Sequence, residues 1–347
     1  MITQEKYPSP KGEITIFRII NAKGASVCLS SLGAGIISVE VPDRDGNITN
    51  VALRYKNPAD YIADGPCMGK IPGRYANRIA KGRFQLDGKT YQLAVNNGPN
   101  ALHGGPEGFQ NQIWESEILD DGVRFTYRSK DGEENYPGNL TAVAEYRWND
   151  SNELTLSLTA ETDRPTVVNL TNHTYWNLRG ADSGCVLDHV MRMRAGRYLP
   201  TDDTLIPLGQ LESVQGTPMD FTAGKRLGRD IKGNFPALNF GKGYDSCWAI
   251  DDWQPGRMVE NAVTLHDEVS GRTLSISTDQ PGVQIYTGNW LAGSPENLSG
   301  RPYVDYEGVA IEAQGFPDAP NEPSFPSQML CPGEKYRRTI RFSFGIR

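Results

Sequence analysis

Histidine and cysteine are scarce in this chain, and positive charge is not in excess. Only four of the 347 residues are histidine, and no two stand two or four positions apart, so no metal site is expected. The five cysteines are far apart and form no C-x-x-C pair, which is typical of reduced thiols in a cytoplasmic protein. The formal net charge of −7 argues against nucleic acid as a partner, because phosphate backbones bind basic surfaces.

Long apolar runs and helical periodicity are also missing. No stretch approaches the ~18 apolar residues of a membrane span, so no membrane partner is expected. The first residues, MITQEKYPSPKGE, show neither an apolar run nor a small-residue cleavage site, so no secretory signal is indicated and a cytoplasmic location is expected. Apolar residues at a 3.6-residue period are nearly absent, which argues against a helical fold.

A period of two residues dominates instead. The segment ELTLSLTAET (153–162) places Leu154, Leu156 and Leu158 on one face, as in a strand buried on one side. The segment RFQLDGKTYQL (83–93) alternates on both sides of Asp87-Gly88, a strong signal for a type I′ hairpin. Similar short runs recur with turn signals between them and no visible linker. We therefore predict an all-β fold, an antiparallel sandwich or barrel formed by one domain over residues 1–347.

One stretch, VVNLTNHTYWNL (167–178), places a histidine among three asparagines. As a strand leading into a loop, it would carry Asn169, Thr171 and His173 on one face. That face is too polar for a plain core, so we expect it to line water or a ligand cleft. The surrounding asparagines suit a ligand covered with hydroxyl groups.

Further polar residues lie near the ends of predicted strands. His103 precedes Gly104-Gly105, where bare backbone would let a ligand approach closely. Glu312 stands on a strand whose other face carries Val309 and Ile311. The remaining candidates are Arg74, Asn77, Arg78, Asp245 and Gln284.

Each candidate also has a purely structural interpretation. A single histidine in a β protein is more often a satisfied structural residue, and Glu312 is by default exposed. Arg78 fits a surface salt bridge, Asp245 a turn cap, and Gln284 a solvent-facing strand position. Trp176 and Trp290 are more often core residues than platforms for a sugar ring.

Taken together, several segments resemble the galactose mutarotase (aldose 1-epimerase) family. They run in order from about residue 70 to 330: GRYANRIAKGRFQLDGKTYQL, LHGGPEGF, NLTNHTYWNL, YLPTDDTLIP, QGTPMDF, GYD, QPGVQIYTGN and PDAPN. The resemblance implies a large antiparallel β-sandwich with a sugar cleft on its concave face. It also implies an isomerase that interconverts the α- and β-anomers of a free aldose such as galactose or glucose, with no cofactor.

The resemblance assigns roles to individual residues. Glu312 matches the general base and His173 the general acid, and a carboxylate near His173 is expected to raise the pKa of its imidazole. The other matched positions contact the sugar: Asn77, Arg78, His103, Tyr175, Asp245 and Gln284. The chain departs from the family pattern at Ala313, where a hydroxyl side chain often follows the base, and this puts sugar preference in question.

Three rival functions and the assembly state remain open at this point. An epimerase for a phosphorylated hexose would need a cationic pocket, to which Arg74 and Arg78 could contribute. A non-catalytic sugar-binding protein would not need both His173 and Glu312. A glycosidase would need two carboxylates flanking the bond, and only Glu312 is a clear candidate. The expected assembly is a monomer or a weak homodimer.

Overall fold

Strands make up nearly all of the regular structure in the computed structural model, which describes residues 1–347. The first nine strands are β1 (Ile2–Ser9), β2 (Gly12–Ile20), β3 (Ser26–Ser30), β4 (Gly35–Pro42), β5 (Ile48–Asn50), β6 (Arg78–Ile79), β7 (Arg83–Leu86), β8 (Lys89–Gln92) and β9 (Ala101–Leu102). The next nine are β10 (Glu115–Ile118), β11 (Gly122–Ser129), β12 (Leu140–Trp148), β13 (Glu153–Thr162), β14 (Thr166–Val167), β15 (Tyr175–Trp176), β16 (Val190–Met193), β17 (Arg197–Tyr198) and β18 (Glu212–Ser213). The last eight are β19 (Lys225–Arg226), β20 (Asp245–Ala249), β21 (Val259–His266), β22 (Arg272–Thr278), β23 (Gly282–Tyr286), β24 (Val309–Gln314), β25 (Met329–Leu330) and β26 (Tyr336–Ile346).

Helices are few and short. There is one α-helix, α1 (Pro236–Gly241). The 3₁₀ helices span Pro58–Tyr61, Ala80–Gly82, Phe109–Asn111, Glu133–Asn135, Leu227–Arg229 and Ala319–Asn321. No helix has the length and apolar character that a membrane crossing requires.

Two large sheets organise the molecule. A nine-stranded sheet has the order β10-β11-β12-β13-β26-β22-β21-β16-β19, and a six-stranded sheet has the order β15-β24-β23-β20-β17-β18. The N-terminal strands form a separate five-stranded sheet in the order β1-β2-β3-β4-β5. Neighbouring strands in all three sheets pair antiparallel, so the predicted all-β antiparallel class is confirmed.

The main core joins the two large sheets. Leu154, Leu156 and Leu158 on β13 are fully buried, as the period-two pattern predicts. Trp176 of the six-stranded sheet packs against Phe342 of the nine-stranded sheet, with 5.6 Å between ring centroids. Because successive residues of a strand point to opposite faces, a strand that turns its apolar residues to this core presents the alternate residues to the other side.

The predicted hairpin is also confirmed. Strands β7 and β8 pair through Leu86 and Lys89, and Asp87 and Gly88 form the two-residue turn between them. Both turn residues have positive φ, 51° for Asp87 and 72° for Gly88, as a type I′ turn requires. All five cysteines are free thiols.

Candidate active site

A cavity of about 520 Å³ lies against the face of the six-stranded sheet that points away from the main core. On β24, Val309 and Ile311 belong to the core, so Glu312 points to the opposite face, as the alternation predicts. Seven of the eight predicted site residues line the cavity: Asn77, Arg78, His103, His173, Tyr175, Asp245 and Glu312. The fold therefore gathers residues that are up to 235 positions apart (312 minus 77) in the sequence.

His173 and Glu312 face each other inside this cavity. Nε2 of His173 is 3.5 Å from Oε1 of Glu312, and both side chains are almost completely buried. Nδ1 of His173 and Oε2 of Glu312 have no hydrogen-bond partner in the protein. Buried polar atoms are normally paired, so two unpaired atoms on facing side chains are unusual for a protein interior.

The backbone of His173 is held by a neighbouring loop rather than by a sheet. Its N–H donates to the carbonyl oxygen of Lys70 and its carbonyl accepts from the N–H of Gly69, each at 2.9 Å. Lys70 is itself fully buried and forms an ion pair with Asp64. The predicted strand over 167–178 is wrong in this part, because residues 168–174 form no strand between β14 and β15.

The polar side chains around His173 hydrogen-bond to backbone carbonyls and do not line the cavity. The side chain of Asn169 donates to the carbonyl of Ala76, and that of Asn172 donates to the carbonyl of Gly69. The Thr171 hydroxyl donates to the carbonyl of Ala313. The expectation that Asn169 and Thr171 share a cleft-lining face with His173 is therefore wrong, because an irregular buried segment needs side chains to satisfy main-chain groups.

Burial moves the pKa values of the facing pair in opposite directions. It lowers the pKa of His173 to about 4, with a further contribution from the positive charge of Lys70. It raises the pKa of Glu312 well above its usual value, and the negative charge of Asp245 adds to this effect. The expectation that the histidine pKa is raised is thus wrong in direction, because loss of solvation is the largest effect on His173.

His103 is held in one orientation and one protonation state. Its Nδ1 accepts a 3.1 Å hydrogen bond from the backbone N–H of Asn77. Burial, with the nearby charge of His173 and Arg78, lowers the pKa of His103 well below its usual value. The imidazole is therefore neutral with its proton on Nε2, which leaves this edge as a hydrogen-bond donor.

The two glycines after His103 do not face the cavity. A Cβ on Gly104 would lie 1.8 Å from the carbonyl oxygen of Gly73, and one on Gly105 would lie 2.3 Å from the Glu134 carboxylate. Both also have positive φ, 79° and 101°. The expectation that their bare backbone admits a ligand is wrong, since the space they leave is filled by the protein.

Arg78 and Asp245 form a pair at the cavity wall. Arg78 donates from Nε to the side-chain oxygen of Asn97 at 3.1 Å, and its Nη2 lies 3.5 Å from Oδ2 of Asp245. Gln284 donates to Oδ1 of Asp245 at 2.6 Å, but it does not line the cavity. Gln284 is only 3% exposed, so the solvent-facing alternative is also wrong. The structure therefore places Gln284 behind Asp245.

Two further residues differ from expectation. Arg74 lies away from the cavity, where it hydrogen-bonds to Ser129 and to the carbonyls of Lys130 and Pro137. Ala313, at the position where the sequence departs from the family pattern, is fully buried in the main core. A side chain there points away from the cavity, so this departure does not alter contacts with a bound sugar.

Sequence reasoning missed several residues at the cavity mouth. Trp176 is a core residue as expected, but Trp290 is 63% exposed and lines the cavity. Further missed lining residues come from loops, from helix α1 and from strand β23, among them Asn97, Asp203, Thr204, Leu205, Phe240 and Tyr286. The segment YLPTDDTLIP supplies three of them, but no spacing in it indicates which side chains face a ligand.

The fold and the site define a β-sandwich protein with a buried histidine–glutamate pair in a polar cavity. The sequence model of the aldose 1-epimerase family matches residues 15–343, and the chain belongs to this family. It is 42% identical over 320 residues to a galactose mutarotase of Bos taurus, covering 92% of this chain and 91% of the relative. It is 35% identical over 348 residues to an aldose 1-epimerase of Escherichia coli K12, covering 99% of each. The solved structure of an aldose epimerase homologue from C. elegans superimposes with a TM-score of 0.87 at 30% identity, covering 99% of each chain.

Proposed function

We propose that the protein is an aldose 1-epimerase, an isomerase that interconverts the α- and β-anomers of free hexoses such as galactose and glucose. The observation that carries this proposal is the 3.5 Å approach of His173 and Glu312 in a cavity whose other polar groups suit sugar hydroxyls. The family membership and the names of the relatives support the same reaction.

The reaction needs one base and one acid. Glu312 takes the proton of the anomeric hydroxyl while His173 gives a proton to the ring oxygen, and the ring opens to the aldehyde. Rotation about the neighbouring carbon–carbon bond presents the other face of the carbonyl. Closure then returns both protons and yields the other anomer, with no covalent bond to the protein.

The opposite pKa shifts suit this exchange. In water an imidazole holds a proton about two pKa units more tightly than a carboxylate, so the ionic state Glu⁻/His⁺ would be strongly preferred. Burial lowers the pKa of His173 and raises that of Glu312, and both shifts oppose this preference. Ring opening converts the ionic state into the neutral one, and closure reverses it. A weaker preference for the ionic state makes the proton transfers of ring opening less costly.

The remaining lining residues bind and orient the sugar in this proposal. His103 donates from Nε2, Arg78 and Asn77 lie beside the reacting centre, and Tyr175 completes the wall. Asp245 accepts from sugar hydroxyls. Gln284 acts by holding Asp245 in place, which its 2.6 Å hydrogen bond supports.

The charge of the cavity disfavours a phosphorylated sugar. Arg78 is the only lysine or arginine that lines it, against the three carboxylates of Asp203, Asp245 and Glu312. Arg74, the second cation expected for a phosphate, is buried and hydrogen-bonded to other protein groups.

We also propose that the chain works as one domain over residues 1–347, as a monomer or weak homodimer, in the cytoplasm.

Polarimetry on freshly dissolved α-D-galactose and α-D-glucose tests the proposal. We expect the rotation to relax faster with the protein than in buffer alone, and this acceleration to disappear in the Glu312→Gln variant. If no free aldose relaxes faster, the function is not that of a mutarotase. Sugar binding without acceleration would identify a sugar-binding protein instead.

A further inference from the structure

A second cavity, of about 330 Å³, shares no lining residue with the first. The five-stranded sheet forms one wall and residues 54–61 form the other. The lining residues are Tyr7, Pro8, Ile16, Cys28, Ile37, Arg54, Tyr55, Lys56, Asn57, Pro58, Ala59 and Tyr61. Seven of these twelve are hydrophobic, and none is an aspartate or a glutamate.

Arg54 is the unusual residue in this cavity. Its side chain makes no hydrogen bond and no ion pair, although its Nε atom is out of contact with solvent. Every other arginine that is buried or half-buried in this protein has a side-chain partner. A guanidinium that is partly removed from water normally faces a carboxylate, a phosphate or a carbonyl oxygen.

Two hydrogen bonds to Tyr303 fix the backbone of Arg54, so the Arg54 side chain starts from a defined position. Its N–H donates to the Tyr303 hydroxyl, and that hydroxyl donates back to the Arg54 carbonyl, each at 3.0 Å. The neighbouring rings of Tyr55 and Tyr61 pack against each other with 4.7 Å between their centroids. An unpaired cation next to rigid aromatic walls favours a ligand with an anionic end and a flat apolar body.

We propose that this cavity binds a small organic anion, an aromatic or branched carboxylate or phosphate ester, whose charged group pairs with the Arg54 guanidinium. Lys56 also lines the cavity, but its charge is partly offset by the Glu296 carboxylate, which lies 3.9 Å from its Nζ. The apolar body of the ligand packs against the tyrosines, Ile16 and Ile37. This site is separate from the sugar reaction and stands whether or not the protein is a mutarotase.

Titration calorimetry on the full chain tests the site with benzoate and phenyl phosphate as probes. We expect at least one anion to bind, and the stronger of the two identifies the charged group that the site prefers. Benzyl alcohol, which has the same ring without the charge, should bind at least about tenfold more weakly. Saturating galactose should leave the affinity for the anion unchanged.

Two variants separate the site from a general charge effect. Arg54→Gln should weaken anion binding at least about tenfold. Arg83→Gln, at an exposed arginine outside the cavity, should not change it. Equal binding to the Arg54→Gln variant, displacement by galactose, or no binding at millimolar concentrations would each overturn the proposal.

The cysteines give a second readout that does not depend on a variant. Cys28 lines the cavity, whereas Cys185 is exposed and outside it. A bound anion should slow the alkylation of Cys28 by N-ethylmaleimide several-fold, measured by mass spectrometry, and leave Cys185 unchanged. Equal rates at Cys28 with and without a saturating anion would contradict the assignment of this cavity.

Discussion

Glu307 and Glu312 are five residues apart and both almost completely buried, but their carboxylates differ in their hydrogen-bond and ion-pair partners. Both carboxylate oxygens of Glu307 bind the guanidinium of Arg301, at 2.8 and 2.9 Å, and Oε2 also accepts from the N–H of Val304. Glu312 has an unpaired Oε2 and a histidine, not an arginine, at 3.5 Å. A carboxylate that serves the fold is fully paired, whereas one that serves a ligand keeps an oxygen free.

The same comparison, between a residue that serves the fold and a candidate catalytic residue, can be made for two buried histidines, His189 and His173. Burial lowers the pKa of each to about 4, and each has an Nδ1 with no partner. They differ at Nε2, which in His189 accepts from the N–H of Leu178 and in His173 faces Glu312. A perturbed pKa is therefore common to both histidines, and what separates the candidate catalytic residue from the structural one is the group opposite Nε2 together with its place in the cavity wall.

The largest expected effect is that of Glu312→Gln. The amide cannot accept the anomeric proton, so kcat should fall by about 10²–10⁴. The free energy of unfolding should stay the same or rise, because a buried carboxylate without a cation partner destabilises the fold. Polarimetry and urea denaturation measure the two quantities.

Glu307→Gln is the matched control for Glu312→Gln. It should keep kcat within a few-fold of the parent but lose about 1–3 kcal/mol of stability, since Arg301 loses its charged partner. The comparison between the two glutamates fails if Glu312→Gln retains normal turnover or if Glu307→Gln abolishes it while folded.

His173→Asn should lower kcat by at least about a hundredfold, because the amide has no proton to give to the ring oxygen. His189→Asn should leave kcat nearly unchanged and reduce the free energy of unfolding by about 1–3 kcal/mol, since the N–H of Leu178 loses its acceptor. Near-normal turnover in a folded His173→Asn variant would remove this histidine from the mechanism.

Arg78 and Arg74 test the same distinction with a smaller effect. Arg78→Gln should lower kcat/KM by about tenfold to a hundredfold through weaker sugar binding, with little change in stability. Arg74→Gln should lower stability by at least about 2 kcal/mol, since the buried groups around Ser129 lose their donors, and leave kcat/KM of the folded fraction intact. If Arg78→Gln lowered stability and Arg74→Gln lowered kcat/KM, the sugar-binding arginine would be Arg74 and not Arg78.

Much of the fold could be predicted from the sequence because strands leave a local signature. The alternation at Leu154, Leu156 and Leu158 is set by which face is buried, and the turn at Asp87-Gly88 is set by backbone sterics. The same alternation correctly placed Glu312 opposite Val309 and Ile311. It could not show that Glu312 is buried, because that depends on loops that are distant in the sequence.

The parts of the site that could not be predicted depend on long-range contacts. Alternation failed around His173 because the backbone groups of Asn169 and His173 bond to the 69–76 segment instead of to a neighbouring strand. The Asn169 and Asn172 side chains look suited to a sugar in the sequence, yet both are taken up by backbone carbonyls. Trp290 reaches the cavity mouth only because its loop folds over the sheet.

The smallest expected effect concerns pH and follows from the facing pair. Between about pH 4 and the raised pKa of Glu312, the pair holds one proton, which is the state that the reaction needs. Below about pH 4 it takes up a second proton and loses its base, so kcat/KM should fall as the pH drops through about 4, and on the alkaline side it should fall only above the raised pKa of Glu312. An unperturbed histidine that must carry the proton would instead lose activity as the pH rises through ~6.5. Full activity retained below pH 4 would contradict the assignment. His189→Asn should leave the profile unchanged, because the pKa of His189 affects stability and not the reaction.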